Sequence, residues 1–198
     1  MTRRAVISIR FLDWWHAGTG QSGTGDADMH AYRDRFGCPA MPMTQVKGVL
    51  RETAEIFGLL EDQQQIDWYF GERSEPGVTV NADGAAIAFT GETTLSIAEQ
   101  AWFKADRHAQ GMLFSWQRST AIDDDTGSAQ AGSLRSIEVC TPMTLSRVIE
   151  WIDAEEPPTD WWKGLDQVCA MTPVFGKQSR DGLGRAIASC HLEGEAPQ

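Results

Sequence analysis

The chain has 198 residues, of which 41% are hydrophobic, and it carries a net charge of −11. This amount of apolar sequence is enough for the core of one ordinary domain and excludes a wholly disordered protein. No apolar stretch approaches the roughly 18 residues of a membrane-spanning helix, and Met1–Arg4 leads straight into strand-like sequence, so we expect neither a membrane segment nor a signal peptide. The four cysteines contain no CxxC pair, which favours free thiols in a reducing cytoplasm over disulfides or a zinc site.

The net charge argues against a nucleic-acid-binding protein, but it is unevenly distributed along the chain. Residues 1–60 carry seven basic and six acidic side chains, whereas residues 61–175 carry seven and nineteen. Residues 176–198 carry three of each. The two ends could form a locally basic surface if they meet in space, and a soluble acidic protein without a polyanionic partner is the alternative.

A strand and a long loop open the predicted fold. Apolar and polar residues alternate over residues 5–13, so that Ile7, Ile9 and Phe11 would face one side of a sheet. Residues 14–43 have no sustained period and contain five glycines. Loops of this length are generally functional or disordered.

A first helix is predicted from Thr44, its N-cap, to about Leu60. Its apolar residues recur at helical spacing and are Val46, Val49, Leu50, Thr53, Ala54 and Phe57. Lys47 and Arg51 lie four residues apart on one face beside this stripe. They could track a phosphate backbone, or Arg51 could pair with Glu55 on a solvated helix face.

The middle of the chain is predicted to form strands and turns. Residues 66–100 are strand-like, with a hairpin signal at Asp83-Gly84 between two short apolar runs. Residues 118–140 are predicted to form a hairpin or a projecting loop. Residues 143–152 fit a strand, although their apolar spacing also suits a helix.

A second helix is predicted to run from Asp160, its cap, to about Met171. A glycine-rich loop at residues 176–185 and a final strand over residues 186–192 follow it. The order β-α-β-β-insert-β-α-loop-β corresponds to an α+β fold with a ferredoxin-like (RRM-like) βαββαβ core and a long glycine-rich insertion after its first strand. We therefore expect one domain over residues 1–198.

Three segments carry motifs that occur together in one family. The motif residues of the first segment are Asp28, Arg33-Asp34, Pro39, Pro42, Lys47-Gly48 and Arg51. Those of the second are Thr120-Ala121-Ile122-Asp123, Thr126-Gly127-Ser128-Ala129, Leu134 and Glu138, and the third is the run Ser179-Arg180-Asp181-Gly182-Leu183-Gly184-Arg185. In this order they resemble the repeat-associated mysterious protein (RAMP) superfamily, and in particular the backbone subunits of type III CRISPR effector complexes. The departures from the family pattern are Pro42-Met43-Thr44-Gln45 in place of Pro-Gly-Ser-Ser, and Asp181 within the glycine-rich loop.

The resemblance implies an RNA-binding subunit of an antiviral complex. Copies of the chain would line up with other effector-complex subunits along a CRISPR RNA and cut the paired single-stranded target RNA, with Mg²⁺ or Mn²⁺ as cofactor. Asp28 matches the family's cleaving aspartate by its position relative to Asp34 and Lys47, so it is the expected catalytic and metal-binding residue. Asp26 is the fallback, and His30 is a candidate general base.

The glycine-rich loop is the predicted phosphate-binding element. Gly182 and Gly184 can adopt positive φ and expose successive backbone N–H groups, an arrangement that favours phosphate. Lys177, Arg180 and Arg185 would add positive charge. The alternative is a helix C-cap followed by a turn into an edge strand.

Residues 118–138 resemble the thumb-like hairpin of the family, which wedges into the guide–target duplex. A wedge needs a small apolar tip, for which Ile122, Ala129 and Ala131 are the candidates. An acidic surface loop is the alternative. These expectations together require the first helix and the glycine-rich loop to lie side by side and form a positive channel on a negative protein.

Simpler interpretations stand beside these. Asp28 could be a solvated loop acid and His30 a surface residue, in which case the chain would bind CRISPR RNA without cutting its target. Trp14 and Trp15, beside His16, could stack on bases or bury the end of the first strand. The chain could also be a stand-alone acidic α+β domain that binds a small molecule or a protein.

Overall fold

The computed structural model describes residues 2–18, 29–60, 62–72, 84–120, 122, 126–128, 133, 135–176 and 182–194, which form an α+β fold with antiparallel sheets. The strands are β1 (Arg4–Phe11), β2 (Met41–Pro42), β3 (Ile87–Ala88), β4 (Glu92–Thr93), β5 (Phe114–Ser119), β6 (Arg135–Cys140), β7 (Thr144–Trp151) and β8 (Ala186–Leu192). The helices are α1 (Met43–Phe57), α2 (Gln63–Phe70), α3 (Ile97–Ala105), α4 (Arg107–Gly111) and α5 (Trp161–Ala170).

A four-stranded antiparallel sheet with the strand order β3-β7-β1-β8 forms the centre of the fold. In this sheet Ile7 of β1 lies opposite Arg147 of β7 on one side and Cys190 of β8 on the other. Burial alternates along β1. Ile7 and Ile9 are fully buried, whereas Arg10, which follows Ile9, is exposed. The three strands predicted over residues 5–13, 143–152 and 186–192 are thus confirmed, with the first ending two residues earlier than predicted.

Helices α1 and α5 cover the buried face of this sheet. The buried residues of α5 are Trp161, Leu165, Val168 and Cys169, which is the inward face that its spacing indicates. They share one apolar cluster with Val46, Leu50 and Ala54 of α1 and with the buried residues of β1. Burial of each leucine-sized side chain contributes about 1.5–3 kcal/mol, so this layer supplies much of the free energy of folding.

Both ends of α1 differ from the prediction. The N-cap is Pro42 rather than Thr44, and the helix begins at Met43, whose N–H donates to the carbonyl of Gly91 at 2.9 Å. The helix ends at Phe57, before Gly58 with a φ of 57°. Phe57 was expected on the apolar stripe, but it lies past the last buried turn and is 53% exposed.

The expectation of strands across residues 66–100 is wrong for much of that range. Helix α2 is capped by Asp62, whose carboxylate accepts from the N–H of Gln65 at 2.8 Å. Helix α3 begins with a reciprocal capping box between Ser96 and Glu99. These local caps favour helices, and α4 continues the helical region. The predicted partner strand before Asp83-Gly84 lies outside the described residues, and β3 pairs with β7.

The predicted hairpin at residues 118–140 is confirmed as the antiparallel pair β5 and β6. Trp116 lies opposite Glu138 in its register, and Phe114 lies opposite Cys140. Since side chains alternate along a strand, Phe114 and Trp116 share one face of the hairpin. In the part of the chain that the structure describes, no helix has the length and hydropathy needed to cross a membrane.

Candidate functional site

The chain that follows the glycine-rich insertion is attached to the hairpin by its backbone. The N–H of Met29 donates to the carbonyl of Ser136 at 3.2 Å, and the N–H of Glu138 donates to the carbonyl of Met29 at 2.9 Å. The backbone N–H of Ala31 then donates to the Glu138 carboxylate at 3.0 Å. Met29 therefore forms a single parallel bridge with β6, and Ala31 is held to the same strand through the Glu138 side chain.

The end of the glycine-rich loop reaches the same place. Leu183 is buried in a small apolar cluster with Ile137 and Val139 of β6, and Met29 packs against this cluster. We term this meeting of residues 29–33, strand β6 and residues 183–185 the loop–hairpin junction. It brings together parts of all three motif-bearing segments of the sequence.

Glu138 is the charged centre of the loop–hairpin junction. Its side chain is 7% exposed and accepts two hydrogen bonds from the Arg33 guanidinium, at 2.6 and 2.8 Å. Burial alone would raise the pKa of Glu138, but the hydrogen bonds from Arg33 and Ala31, together with the charges of Arg33 and His30, outweigh burial and hold this pKa below its ordinary value. Glu138 is therefore an ionised carboxylate that fixes the loop to the hairpin.

His30 stands at the open side of this junction. Its Nδ1 lies 3.5 Å from Oε2 of Glu138, and its ring meets the ring of Trp116 edge to face at a centroid distance of 5.3 Å. The His30 side chain is 62% exposed. The structure thus places the predicted general base beside a buried carboxylate, where its imidazole is accessible to a ligand.

Gly182 and Gly184 both adopt positive φ, at 80° and 81°, in agreement with the prediction. They differ in their surroundings, because a Cβ on Gly184 would collide with the carbonyl oxygen of Phe175, whereas nothing lies within 4 Å of a Cβ on Gly182. The N–H of Gly184 donates to the carbonyl of Trp14 at 2.8 Å, and its carbonyl accepts from the N–H of Phe175 at 2.9 Å. Gly184 therefore needs to be glycine for packing, while Gly182 lies in open space.

Arg185, which directly precedes β8, forms an ion pair with Asp13. Its Nε donates to the Asp13 carboxylate at 2.8 Å, and both side chains remain partly exposed, at 66% and 41%. An exposed ion pair of this kind contributes little to stability. The Arg185 guanidinium therefore keeps capacity for a further anionic ligand.

The start of the glycine-rich loop lies against the N-terminal end of α1. A Cβ on Gly176 would collide with the carbonyl oxygen of His16, and it would lie 3.7 Å from the side chain of Met41, two residues before α1. The Gln45 side chain on the first turn of α1 donates to the carbonyl of Gly18 at 3.0 Å. The described ends of both loops thus meet beside the helix that carries Lys47.

The two predicted cations of α1 occupy different environments. Arg51 is buried, and its guanidinium donates to the carboxylates of Glu55 and Asp67 and to the carbonyl of Gly71. The exposed cationic pair that the sequence suggests is therefore not present, because α2 supplies Asp67 to Arg51. Lys47 is half-buried, and burial together with the charge of Arg51 lowers the pKa of its ammonium group.

Several predicted site residues lie outside the described residues. They are Asp26, Asp28, Ala129, Ala131, Lys177 and Arg180. Of the hairpin-tip candidates, Ile122 is described and is 58% exposed. Trp15 is fully buried and stacks on Phe11 with ring centroids 4.3 Å apart, so it is a core residue, whereas Trp14 is 41% exposed.

No cluster of three metal-ligating side chains occurs among the residues whose positions are described. Glu138 does not suit a metal, because Arg33 and Ala31 already occupy its oxygens. The predicted metal ligand, Asp28, directly precedes Met29 in the sequence but lies outside the described part of the chain.

The sequence did not single out the Arg33–Glu138 pair as a site feature. The sequence did contain a signal that Glu138 needs a partner. It lies between Ile137 and Val139 in a short apolar run, and a carboxylate on a covered strand must be paired. The partner lies 105 residues away, so it could not be identified from spacing.

Comparisons with known proteins give a fold-level result. No protein-family model matches the chain, and no curated protein matches it. Among solved structures, a chain of the Type III-B Cmr-beta complex bound to cognate target RNA is 12% identical, with a TM-score of 0.66 over 94% of this chain and 96% of that chain. A chain of Type III-B Cmr-beta in the apo state is also 12% identical, with a TM-score of 0.67 over 98% of each chain. A chain of a Type IV-B CRISPR complex is 14% identical, with a TM-score of 0.59 over 98% of this chain and 93% of that chain.

This protein has the fold of chains found in CRISPR complexes. The resemblance identified from the sequence motifs is confirmed at the level of the fold. The agreement extends over nearly the whole length of both partners in each comparison, so it is not confined to one supersecondary unit.

Proposed function

We propose that this chain is a CRISPR RNA-binding backbone subunit of a type III-like effector complex. The observation that carries the proposal is the loop–hairpin junction, where Met29, Ile137 and Leu183 bring the three motif-bearing segments together. The shared fold with chains of Type III-B and Type IV-B complexes supports the same proposal. The fold and the motif positions are independent observations that favour one function.

A ferredoxin-like core is part of this proposal. The strand order β3-β7-β1-β8, with every neighbouring pair antiparallel, is the order that a βαββαβ core would give if β1, β3, β7 and β8 are its four strands. Helices α1 and α5 would be its two helices. In this arrangement β2, α2, β4, α3, α4 and the hairpin are insertions into the core.

The proposed RNA contacts follow from the glycine-rich loop and its surroundings. The backbone at Gly182 is exposed in a positive-φ conformation, which suits the approach of a phosphate to backbone N–H groups. Arg185 and Lys47 would contribute positive charge, together with Lys177 and Arg180 in the same loop. Such contacts bind RNA through its backbone, so binding would be largely independent of sequence and sensitive to salt.

Target cleavage through Asp28 is the more specific form of the proposal. His30 follows Asp28 by two residues, and its position beside Glu138 would suit a general base or a positioning group. A divalent cation, Mg²⁺ or Mn²⁺, would be held by Asp28 and by phosphate oxygens of the RNA, and it would stabilise negative charge on the phosphate being cleaved. An RNA-binding subunit that does not cut is the alternative.

Self-association along the RNA is also proposed. A single copy of this size covers only a short stretch of nucleic acid, so several copies and other effector subunits would be needed to hold a guide. The acidic middle of the chain would then face away from the RNA or contact neighbouring subunits.

Fluorescence anisotropy with a labelled single-stranded RNA tests the binding proposal. We expect the wild-type protein to bind, and we expect its affinity to fall steeply as salt is raised. A Lys177→Ala, Arg180→Ala double variant should bind at least tenfold more weakly. Lys163→Ala is the matched control, because Lys163 pairs with Asp160 on the exposed side of α5. No binding by wild-type protein at low salt would remove the proposal.

A cleavage assay separates the cutting subunit from the non-cutting one. Guide-loaded complex containing Asp28→Ala should bind target RNA like wild type but lose divalent-dependent cleavage. Asp26→Ala, the fallback residue on the same segment, is tested in parallel, and loss of cleavage in Asp26→Ala but not in Asp28→Ala would transfer the role to Asp26. Equal residual cleavage in wild type and Asp28→Ala would exclude Asp28 from the mechanism and leave the binding function in place.

A further inference from the structure

Aromatic rings and cations alternate across a surface next to the loop–hairpin junction. The Arg33 guanidinium lies over the ring of Phe114 at 3.9 Å, while Trp116 follows on the same face of β5. Two residues beyond Arg33 along the chain, Arg35 lies over the ring of Phe36 at 4.7 Å. These contacts place base-sized rings and guanidinium planes next to one another.

Helix α3 adds a further cation to this surface. The ammonium group of Lys104 lies 5.2 Å from the centre of the Phe36 ring. The backbone at Phe36 is held from α4, where the Gln110 side chain donates to the carbonyl of Phe36 at 2.7 Å. Phe36 therefore joins the junction to α3, and Arg33, Arg35, Phe36, Lys104, Phe114 and Trp116 form what we term the aromatic–cation track.

Two of the three cations of the track, Arg35 and Lys104, are not neutralised within the described part of the chain. Arg35 and Lys104 are exposed and form no ion pair with any described residue. Of the nearby acids, Glu138 is paired with Arg33, and Asp34 is buried and accepts hydrogen bonds from the N–H groups of Phe36 and Cys38. In a chain with a net charge of −11, this surface is locally basic.

We propose that the aromatic–cation track binds single-stranded RNA and extends the RNA path from the loop–hairpin junction to α3. This inference rests on the proposed RNA-binding function. Bases would stack on Trp116 and Phe36, and Arg35 and Lys104 would contact the phosphates on either side. Stacking on aromatic rings and guanidinium planes beside cations is the usual chemistry of single-strand recognition, and it is tolerant of sequence.

The same chemistry distinguishes RNA from a protein partner at this surface. The centre of a protein interface is depleted of charged residues, whereas two of the three rings of this track, Phe36 and Phe114, have cations next to them. The track is also continuous with the junction, because Arg33 contacts both Glu138 and Phe114. A single strand leaving the junction would therefore meet Arg33 and Phe114 of the track first.

Binding of a fluorescein-labelled, uridine-rich single-stranded RNA tests the track. We expect an Arg35→Ala, Lys104→Ala double variant to bind about tenfold more weakly. The slope of log affinity against log salt should become shallower by about 1.4, since each cation that contacts a phosphate releases about 0.7 counterions from a single strand and the variant lacks two such contacts. The matched control is an Arg4→Ala, Lys163→Ala double variant. It removes the same charge from exposed ion pairs elsewhere and should bind within twofold of wild type.

Photocrosslinking of wild-type protein to 4-thiouridine RNA gives a readout that does not depend on a variant. Crosslinked peptides containing Phe36 or Trp116 would support the track. Crosslinks confined to residues 176–185, or a track variant that binds like the control, would overturn it while leaving the proposed function intact. A track variant that binds RNA normally but loses self-association in light scattering would also overturn it, in favour of a protein interface. A wild-type protein that binds no RNA would remove the proposed function as well.

Discussion

The loop–hairpin junction and the contact between α1 and α2 use the same chemistry for different ends. In each, one arginine donates to carboxylates, but Arg51 is 10% exposed and its partners lie 4 and 16 residues away. Arg33 is 35% exposed, reaches Glu138 from 105 residues away, and still lies over an aromatic ring at the surface. Arg51 and its partners hold α1 and α2 together, whereas the pair of Arg33 and Glu138 positions a loop and leaves a cation accessible.

This comparison shows that helical spacing alone does not make a cation available to RNA. Lys47 and Arg51 share a face by sequence, yet Asp67 on α2 takes up the charge of Arg51. The cations of the aromatic–cation track come from two segments far apart in the sequence, with Arg33 and Arg35 in one and Lys104 on α3 in the other. Their availability depends on which acids the fold brings near them.

Gly184→Ala should give the largest effect on the loop–hairpin junction. Its φ of 81° is unfavourable for alanine, and the new Cβ would collide with the carbonyl oxygen of Phe175, so we expect a loss of about 3 kcal/mol in the free energy of unfolding. Gly182→Ala is the matched control, with nearly the same φ but open space, and should lose about 1 kcal/mol. Urea denaturation measures both, and equal losses would contradict the role assigned to the contact with Phe175.

Glu138→Gln should be the next most destabilising change. It removes the negative charge that pairs with Arg33 and weakens the hydrogen bond from Ala31, and because Arg33 is partly solvated we expect a loss of about 2 kcal/mol. The control is Glu193→Gln, which breaks the exposed pair with Arg4 and should change the free energy of unfolding by less than about 1 kcal/mol. Similar losses in the two variants would show that burial of Glu138 is unimportant.

Arg51→Met and Lys47→Met sharpen the comparison between the two regions. Arg51→Met removes the guanidinium that pairs with Glu55 and Asp67, so it should lose about 1–2 kcal/mol in the free energy of unfolding without changing RNA affinity. Lys47→Met should do the reverse, weakening RNA binding severalfold with little change in stability. If Arg51→Met weakened RNA binding at unchanged stability, the structural role given to Arg51 would be wrong.

The pH dependence of stability should show the smallest effect. The pKa of Glu138 is lower in the folded protein than its ordinary value near 4.5, so the stabilisation by this group is present above that value and is lost as the pH falls through the folded pKa. Denaturation of wild type and Glu138→Gln between pH 3 and 6 measures this contribution. The difference between the two proteins should shrink toward acid, and a constant difference would contradict the pairing.

The elements with a clear hydrophobic period were predictable. β1, α5 and β8 were predicted nearly to the residue, because Ile7 and Ile9 alternate and Leu165 and Val168 recur at helical spacing. Helix α3 was missed because none of its residues is buried, so it has no apolar stripe to detect. Helix α2 was missed because its aromatic end, Trp68-Tyr69-Phe70, has the composition of a strand.

The site was predictable in part. The positive φ of Gly182 and Gly184 was predicted from the sequence. The sequence analysis placed the glycine-rich loop beside the first helix, but it did not predict that residues 29–33 and Leu183 meet at strand β6. The buried state of Arg51 and the pairing of Arg33 with Glu138 depend on contacts between distant residues, which periodicity cannot reveal. The same holds for Phe36 and Lys104, which meet only because α3 packs beside the loop that carries Phe36.

The most direct test of the central claim is the nucleic acid that the protein carries when it is isolated under native conditions. We expect an absorbance spectrum with a nucleic-acid contribution that is abolished by ribonuclease, and short RNA of uniform length on a denaturing gel. Protein with a pure-protein spectrum that also fails to shift single-stranded RNA at low salt would contradict an RNA-binding subunit and favour a stand-alone acidic domain.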